Sequence, residues 1–284
     1  MKIINNQYKD RLFTFIFSSE AHKNWTLELY NAISGSNYTD PSQIEITTIK
    51  EVLYLGMHND VSFIISDEMN LYEQQSTYNP NMPVRQLQYA GNLYEKYIKE
   101  NKLNKYGSKL LKLPVPHLIV FYNGTRKESD EQILKLSDSF PDKSEPDIEV
   151  RVRMININYG RNVNLLTLCK PLREYAWTIS QIRENCSRMN IEKAVDQAIT
   201  DMPDNFVLKS FLEAHRAEVK GMLLTEYNEA ETMQLFREEG REEGREEGIF
   251  SILLDLVREN KISLTDASKK ANMSPEEFQK LLNQ

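Results

Sequence analysis

The sequence predicts a mixed α/β (α+β) fold, in which helices pack on a central β-sheet. Three stretches indicate this fold class. Residues 8–33 carry apolar side chains at helical intervals, residues 61–75 hold two β-rich runs, and residues 117–124 form a compact apolar run that ends in a turn. The chain has 284 residues, of which 40% are hydrophobic, so it is long enough to bury a core of this kind.

The first half of the predicted sheet comes from the N-terminal third of the chain. An amphipathic helix is predicted over residues 8–33, with Gly35 as its stop signal. Residues 44–57 are rich in β-branched side chains and are predicted to form the first strand. The runs 61–66 and 70–75 then form a hairpin with a tight turn at Asp67 and Glu68 between them.

A second helix and a central strand follow the hairpin. Pro80 and Pro83 break the chain, and a helix is predicted from Arg85 to about Lys99. The apolar run 117–124 fits a buried central strand. The predicted order is therefore helix, three strands, helix and strand (αβββαβ), around a mixed sheet.

One further strand and a helical layer are predicted next. Residues 125–147 are polar and are predicted to form a surface loop or a short helix. Residues 150–158 begin with a strict apolar–polar alternation, which predicts a half-buried strand at the sheet edge with its arginines facing DNA or water. Residues 165–215 contain three helical segments that we expect to form a layer on the sheet.

The segment 218–248 differs from the rest of the chain in charge. It contains ten acidic and four basic side chains and thus carries −6 of the total charge of −7, so the overall acidity does not argue against nucleic-acid binding elsewhere. The unit Arg-Glu-Glu-Gly occurs three times in it, and each glycine inside a helix costs ~1 kcal/mol relative to alanine. We expect this helix either to self-associate, giving a homo-oligomer, or to act as a solvated linker.

The last predicted part is a small helical module over residues 249–284. Its three short helices have a helix-turn-helix outline, with good N-terminal signals for the second and third. The third helix carries Glu276, Glu277 and only Lys280, which is a poor composition for entering a major groove. We interpret the module as a packing or partner-binding unit.

The predicted hairpin brings two carboxylates together. Asp60 precedes its first strand and Glu73 lies near the end of the second, so antiparallel pairing places both at one end of the hairpin. Mg²⁺ prefers oxygen ligands and is often held by one or two carboxylates while it keeps several waters. Such a pair suits metal-assisted phosphodiester hydrolysis. The alternative is that both residues are solvated strand ends.

This part of the sequence resembles a known nuclease superfamily. Asn59-Asp60 followed by Glu73-x-Gln75 is similar to the bipartite site of the PD-(D/E)XK nucleases. Asn stands where that motif has Pro, and Gln stands where it has the terminal Lys. The bare motif is short, so the likeness gains its specificity from the residues around it.

The surrounding residues resemble one branch of that superfamily, the recombination-promoting nucleases (Rpn) and their transposase-like relatives. The stretch 70–85 with Tyr89 carries the likeness, together with the opening run from Tyr8 to Phe13. The Arg-Glu-Glu-Gly repeat is also typical of the branch. The resemblance covers about the first half of the chain and the repeat.

The resemblance implies a fold, a division of the chain and an activity. The fold is a restriction-endonuclease-like core over residues 1–160, completed by the helical layer 161–217 and followed by the arm 218–248 and the module 249–284. The activity is Mg²⁺-dependent DNA endonuclease activity, with Mn²⁺ as a substitute ion, associated with DNA recombination or mobile elements. DNA is then the expected partner.

Three acids are the metal ligands that the resemblance implies. Asp60 and Glu73 would hold the ion, and Asp10 matches the position from which an acid of the first helix completes the shell. Asp10 fits equally well as an acid that complements a helix N-terminus, a contribution of ~0.3–1 kcal/mol. Glu20 is a second candidate for the third ligand.

Two further side chains are candidates for the catalytic site. Arg85, at the start of the second helix, fits either a bidentate phosphate contact or a structural ion pair with Glu73 or Asp60. Gln75 can orient water or phosphate by hydrogen bonds but supplies no positive charge. The missing charge is expected from Lys9 or Arg85.

Six lysines recur every three or four residues after the centre of the second helix. In a continuous helix they would form a positive stripe for phosphate contacts, and the alternative is an ordinary solvated face. These residues are Lys96, Lys99, Lys102, Lys105, Lys109 and Lys112.

A second hypothesis is a catalytically degenerate nuclease fold that binds DNA or protein as an oligomer. Gln75, the acidic arm and the C-terminal module motivate it. The N-terminal residues lack the apolar region of a secretory signal, and no run approaches the ~20 apolar residues of a membrane helix, so a cytoplasmic protein without a membrane partner is expected. The two cysteines and four histidines lack the spacing of a zinc site.

Overall fold

The structure, a computed structural model, describes residues 12–47, 60–142, 146–259, 261–271 and 273–282. Its contacts divide the chain into two compact units, the first ending at Thr225 and the second beginning at Glu226. The first unit is built around a β-sheet, and the second is helical. The fold class predicted from the sequence is confirmed at this level.

Six strands form one mixed sheet among the described residues, in the order β1-β2-β3-β4-β6-β5. The central strands β3, β4 and β6 are parallel to one another, and the outer pairs β1–β2, β2–β3 and β5–β6 are antiparallel. The strands are β1 (Glu45–Ile46), β2 (Val61–Ile65), β3 (Glu68–Gln75), β4 (Val115–Tyr122), β5 (Glu131–Lys135) and β6 (Arg151–Asn156).

The predicted hairpin is present as β2 and β3. Val61 pairs with Tyr72 and Ile65 with Glu68, so the turn consists of Ser66 and Asp67, one residue earlier than the turn predicted at Asp67 and Glu68. Ser66 has a φ of 52°, in the left-handed region that a tight hairpin turn requires. Of the predicted first strand, residues 48–57 lie outside the described part of the chain.

The predicted single helix over residues 8–33 is wrong in its continuity. The described part contains two helices, α1 (Leu12–Phe17) and α2 (Lys23–Ser34), separated by a 3₁₀ turn at Glu20–His22. The side chain of Ser18 donates to the carbonyl of Thr14 (2.8 Å), and the buried Thr26 hydroxyl donates to the carbonyl of Phe17 (2.6 Å). The Thr14 carbonyl also accepts the backbone N–H of Ser18 (2.8 Å), so it is the bond from Thr26 to the Phe17 carbonyl, at the last residue of α1, that stabilises the break.

Helices cover both faces of the sheet. On one face α1, α2 and a later helix, α5 (Lys170–Cys186), pack on an aromatic series in which Phe13 lies 5.3 Å from Phe121 and Tyr72 lies 5.3 Å from Phe121, between ring centroids. On the other face α3 (Met82–Glu100) packs through Tyr89 on Leu71. Because Leu71 and Tyr72 are neighbours on one strand, their side chains point to opposite faces.

The segment after β4 differs from its prediction. Residues 125–147 were expected to be a loop or short helix, but Glu131–Lys135 form β5, followed by a 3₁₀ turn at Leu136–Ser139. The strand β5 is the sheet edge, so β6 lies inside the sheet and its predicted edge position is wrong. Only Leu134 of β5 is buried, and a strand with one buried side chain gives almost no alternating signal.

The segment that was expected to form a layer of three helices is helical in the structure. It consists of four helices, α4 (Val163–Leu168), α5 (Lys170–Cys186), α6 (Ile191–Thr200) and α7 (Lys209–Ala214). The core on this face of the sheet also includes Val219 and Leu223, which are 0% and 6% exposed and lie beyond the predicted end of the layer.

The remaining helices are α8 (Arg216–Arg258), α9 (Leu264–Lys270) and α10 (Pro275–Leu282). Because α8 is continuous to Arg258, the first of the three short helices predicted after residue 248 is its last part. Leu253, Ala267 and Phe278 form a small buried cluster within the second unit. Within the described residues, no helix combines the length and apolar composition that crossing a membrane requires.

Candidate functional site

The candidate site lies at the carboxyl end of β3, on the face covered by α3. Alternation along the strand turns Glu73 and Gln75 to the same side as Met69 and Leu71, which pack against α3. Glu73 is 1% exposed and Gln75 6%. A carboxylate and an amide thus sit where a purely apolar pattern would continue, which marks the end of the strand as chemically distinct.

Asp60 joins this end of the sheet through the hairpin register. Val61 pairs with Tyr72, so Asp60 lies one step further on, opposite Glu73. The backbone N–H of Gln74 donates to Asp60 Oδ2 at 2.6 Å, which holds the Asp60 carboxylate beside the Glu73–Gln74 peptide. Directly opposed residues of an antiparallel pair have Cβ atoms ~4.5–5.5 Å apart. The register therefore brings both predicted carboxylates together.

Glu73 is held by a positive charge. Arg85 Nη2 donates to Glu73 Oε1 at 2.6 Å, and Gln75 Nε2 donates to the same oxygen at 3.2 Å. The side chain of Arg85 is 33% exposed, so the guanidinium links a buried carboxylate to solvent. A buried carboxylate is costly unless it is paired, and this pair supplies the compensation.

The start of α3 positions Arg85. The helix begins at Met82 with Pro83 in its first turn, where the missing N–H of proline costs nothing. Tyr89 follows Arg85 by four residues and thus lies on the same helix face. Arg85 Nη2 donates to the Tyr89 hydroxyl at 2.9 Å, and Arg85 Nη1 lies 3.6 Å from the sulfur of Met82.

Tyr89 takes part in the site rather than in packing alone. It is 1% exposed, and burial together with the charge of Glu73 raises the pKa of its phenol, with a smaller effect from Asp60. The phenol is therefore neutral at physiological pH and acts as a hydrogen-bonding group. The sequence analysis gave Tyr89 no role in the site, although its spacing of four residues from Arg85 was a usable signal.

Gln86 is a residue of this region that the sequence analysis did not identify. It is 0% exposed, and neither end of its side-chain amide has a hydrogen-bond partner among the described residues. Unpaired buried amides cost about 1–3 kcal/mol each. No sequence signal distinguishes such a glutamine from the other polar residues of an amphipathic helix.

Other predicted residues are not brought to this site or cannot be placed. Asp10 and Lys9 lie outside the described residues. Glu20 is an exposed residue paired with Lys23 at 2.8 Å, which gives it a surface role. Arg153 makes a bidentate ion pair with Glu131, at 2.6 and 2.9 Å.

The predicted lysine stripe is not continuous. The helix α3 ends at Glu100, so the lysines from Lys102 to Lys112 follow an irregular segment instead of a helix face. Lys105 pairs with Glu95 at 2.5 Å. Beyond Lys99 the lysines therefore do not form a helical stripe for phosphate contacts.

The carboxylates of the candidate site are of the chemical type that binds a hard divalent cation, but one of their oxygens already accepts hydrogen bonds. Asp60 and Glu73 supply carboxylate oxygens of the kind that Mg²⁺ uses. One Glu73 oxygen, however, already accepts from Arg85 and Gln75. In the part of the chain that the structure describes, no three His, Cys, Asp or Glu side chains are grouped so as to hold a metal ion.

A groove of about 360 Å³ lies elsewhere, at the opposite end of β3. Its lining includes Glu68, His117 and Arg153, whereas Glu73 and Gln75 lie five and seven residues further along the strand from Glu68. The groove also faces the α2 side of the sheet through Tyr30. The groove is thus separate from the candidate site, and none of Asp60, Glu73 and Arg85 lines it.

Comparison of the chain with models of known protein families, with curated proteins and with solved structures found no match in any of the three.

Proposed function

We propose that the protein is a Mg²⁺-dependent DNA endonuclease of the PD-(D/E)XK type, similar to the Rpn and transposase-like branch, with a restriction-endonuclease-like core. The observation that carries the proposal is the opposition of Asp60 and Glu73 at one end of the hairpin. Gln75 and Arg85 lie against Glu73, so four residues singled out in the sequence are neighbours in the fold. Their convergence supports a common role.

In this proposal each side chain has one task. Asp60 and Glu73 would hold the ion, with Asp10 as the third ligand that the resemblance implies, and the ion would lower the pKa of a water and neutralise charge on the phosphate. Arg85 provides a guanidinium for a phosphate oxygen, which is the geometry that Arg matches best. Gln75 orients water or phosphate through its amide, and Tyr89 fixes the position of the Arg85 guanidinium.

The proposal is tested by nicking of supercoiled plasmid with Mg²⁺ and with Mn²⁺. The substitution Asp60→Asn keeps an oxygen that can accept from the Gln74 N–H, so it removes the charge with little structural change. We expect it to reduce nicking by at least about 100-fold, as the loss of a catalytic group typically does.

The matched control for this test is Asp67→Asn. Asp67 lies in the exposed turn at the other end of β2, so the same chemical change there leaves the candidate site intact. Full activity is expected in this control. Equal activity of the wild type and Asp60→Asn would contradict the proposal.

A second candidate function is a nuclease fold that binds DNA or protein without cleaving. The observation that favours it is the ion pair itself, because Arg85 and Gln75 both donate to one of the two carboxylate oxygens of Glu73 and so compensate its buried charge without a metal. This function predicts no nicking by the wild type with either ion. It also predicts DNA binding that is the same in the wild type and in Asp60→Asn, measured by fluorescence anisotropy.

A further inference from the structure

The groove at the start of β3 contains a buried hydrogen-bond donor without an acceptor. Asn70 lies in the groove lining and is 2% exposed. Its Oδ1 accepts from the Tyr72 hydroxyl at 3.4 Å, but its Nδ2 has no hydrogen-bond partner in the part of the chain that the structure describes. A buried donor of this kind is unfavourable unless an acceptor is brought to it, and the groove is the side from which an acceptor can come.

Two cations lie side by side at the same end of the sheet. Arg151 lines the groove, and the register of β5 and β6 sets it directly opposite Lys135. Like charges in directly opposed cross-strand positions repel each other. Neither side chain forms an ion pair with a carboxylate of the described residues, whereas Arg153 is paired with Glu131 at 2.6 Å. An anion bound at this place would relieve the repulsion.

The buried donor and the cations lie in one row across the sheet. Asn70 pairs with His117 on β4, and Ile119 pairs with Arg153 on β6. Two residues before that second pair, the same register sets Arg151 beside His117. Neighbouring strands lie about 5 Å apart, so the Cα atoms of Asn70 and Arg151 are separated by about 10 Å. A small anion above His117 is therefore within reach of both side chains.

The charges around the groove favour an anion with a single negative charge. Glu68 also lines the groove, where it accepts from the Tyr30 hydroxyl at 2.7 Å, so one carboxylate already belongs to the wall. A dianion such as a phosphate monoester would be repelled by this carboxylate. Arg151 and Lys135 together exceed Glu68 by one charge, which a monoanion neutralises.

The remaining lining favours a ligand with an apolar body. Ile33 of α2, Ile119 of β4 and Ile133 of β5 contribute to it, and the volume of about 360 Å³ lies within the range of small-molecule sites. Such sites combine apolar walls with a few polar groups that fix the orientation of the ligand. A nucleic-acid backbone lies on a protein surface and so does not reach the buried amide of Asn70.

We propose that this groove binds a small organic monocarboxylate with an apolar body. The carboxylate accepts from Asn70 Nδ2 and pairs with the Arg151 guanidinium, whose planar fork matches a carboxylate. Lys135 adds attraction from the sheet edge, and the apolar body lies along the isoleucines. The inference does not depend on the proposed function, because the groove is separate from the candidate site.

The test is isothermal titration calorimetry of the full chain with 4-methylpentanoate, phenylacetate and octanoate, three monocarboxylates with apolar bodies of different shape. At least one is expected to bind with a Kd of about 1 mM or lower. Its neutral primary amide should bind at least about tenfold more weakly, because charge-assisted hydrogen bonds are replaced by neutral ones. Inorganic phosphate should not displace the carboxylate.

Substitutions in the groove assign the binding to the two groups. Arg151→Met removes the cation and Asn70→Leu removes the buried donor, and each should weaken binding at least about tenfold. Arg188→Met is the control, since this arginine follows α5 and is 71% exposed in its side chain. It should leave the affinity unchanged. If Asn70→Leu does not fold, the exposed Arg151→Met decides.

Failure of all three monocarboxylates to bind would overturn the inference. An amide that binds as tightly as its carboxylate, displacement by phosphate at equal concentration, or an affinity that Arg151→Met leaves unchanged would also overturn it. Each of these outcomes leaves the plasmid-nicking test of the candidate site unaffected.

Discussion

Glu73 is the most buried charged residue of the candidate site, and Arg85 compensates its charge. It is 1% exposed, and the positive charge of Arg85 lies 2.6 Å away. Removing one member of a buried ion pair leaves the other charge uncompensated in a medium that solvates it poorly. Loss of Arg85 should therefore have a measurable cost in folding stability, in addition to its effect on the proposed function.

The first prediction concerns this cost. Arg85→Met is expected to lower the free energy of unfolding by about 3–5 kcal/mol, the usual loss when a buried pair is broken. Arg153→Met removes a pair of equal length, but its partner Glu131 is 44% exposed in its side chain, so a loss of at most about 1 kcal/mol is expected. Urea denaturation measures both. Equal losses of unfolding free energy in the two variants would contradict the burial of the ion pair between Arg85 and Glu73.

For individual residues, the sequence predicted where the two carboxylates lie better than it predicted which side chains contact them. The pairing of Asp60 with Glu73 follows from strand period and hairpin direction, which are properties of the local pattern. The contact of Arg85 with Glu73 was one of two open alternatives, because the angle at which a helix meets a sheet is set by packing. The unpartnered amide of Gln86 depends wholly on that packing and had no signal.

The strands at the candidate site end close to one another, and one glycine permits this. A Cβ added to Gly124 would lie 2.4 Å from the backbone oxygen of Ser76, which directly follows β3. The N–H of Asn123 donates to the carbonyl of Gln75 at 2.9 Å, extending the contact between β3 and β4 past the last paired residues. The ends of these two strands are thus held together at the candidate site.

This close approach gives the second prediction. Gly124→Ala is expected to destabilise the protein by about 1–3 kcal/mol, since overpacking against a backbone atom cannot be relieved by a rotamer change. Gly91→Ala is the matched control, because Gly91 lies inside α3 and a Cβ there meets no atom within 4 Å. It should stabilise the protein by about 0.5–1 kcal/mol. Thermal unfolding distinguishes the two, and a stable Gly124→Ala variant would contradict the described strand ends.

Elements with strong periodicity were predicted, and those with mixed signals were not. The strands β2, β3, β4 and β6 have apolar runs or alternation and were found from them. The break between α1 and α2 was missed because apolar spacing continues across it, while the hydrogen bond that stabilises the end of α1, from the Thr26 side chain to the Phe17 carbonyl, joins residues nine positions apart. The strand β5 was missed because its edge position leaves Ile133 41% exposed and its charged ends resemble a loop.

The two compact units give a prediction for the whole molecule. Val219 and Leu223 belong to the core of the first unit, so a fragment that ends at residue 217 loses two buried side chains, whereas one that ends at Thr225 retains them. We expect the fragment 1–225 to fold and to nick plasmid as the full chain does. A fragment ending at 217 should be less stable by several kcal/mol, at about 2–5 kcal/mol for each large apolar side chain lost.

The same fragment tests the proposed self-association of residues 218–248. If this segment forms the homo-oligomer, fragment 1–225 should assemble into oligomers with fewer subunits than the full chain. Light scattering at equal concentration measures both. An unchanged subunit number would place the association within the first unit. The charge of −6 on the segment predicts that its association becomes stronger as salt screens the repulsion.

We propose that the carboxylates at the end of the hairpin carry out metal-dependent cleavage. The most direct measurement is the initial rate of Mg²⁺-dependent plasmid nicking by Glu73→Gln and Glu68→Gln, two identical changes at opposite ends of β3. We predict that Glu73→Gln loses at least about 100-fold in rate while Glu68→Gln keeps the wild-type rate. Nicking by Glu73→Gln at the wild-type rate, or equal losses in both variants, would contradict it.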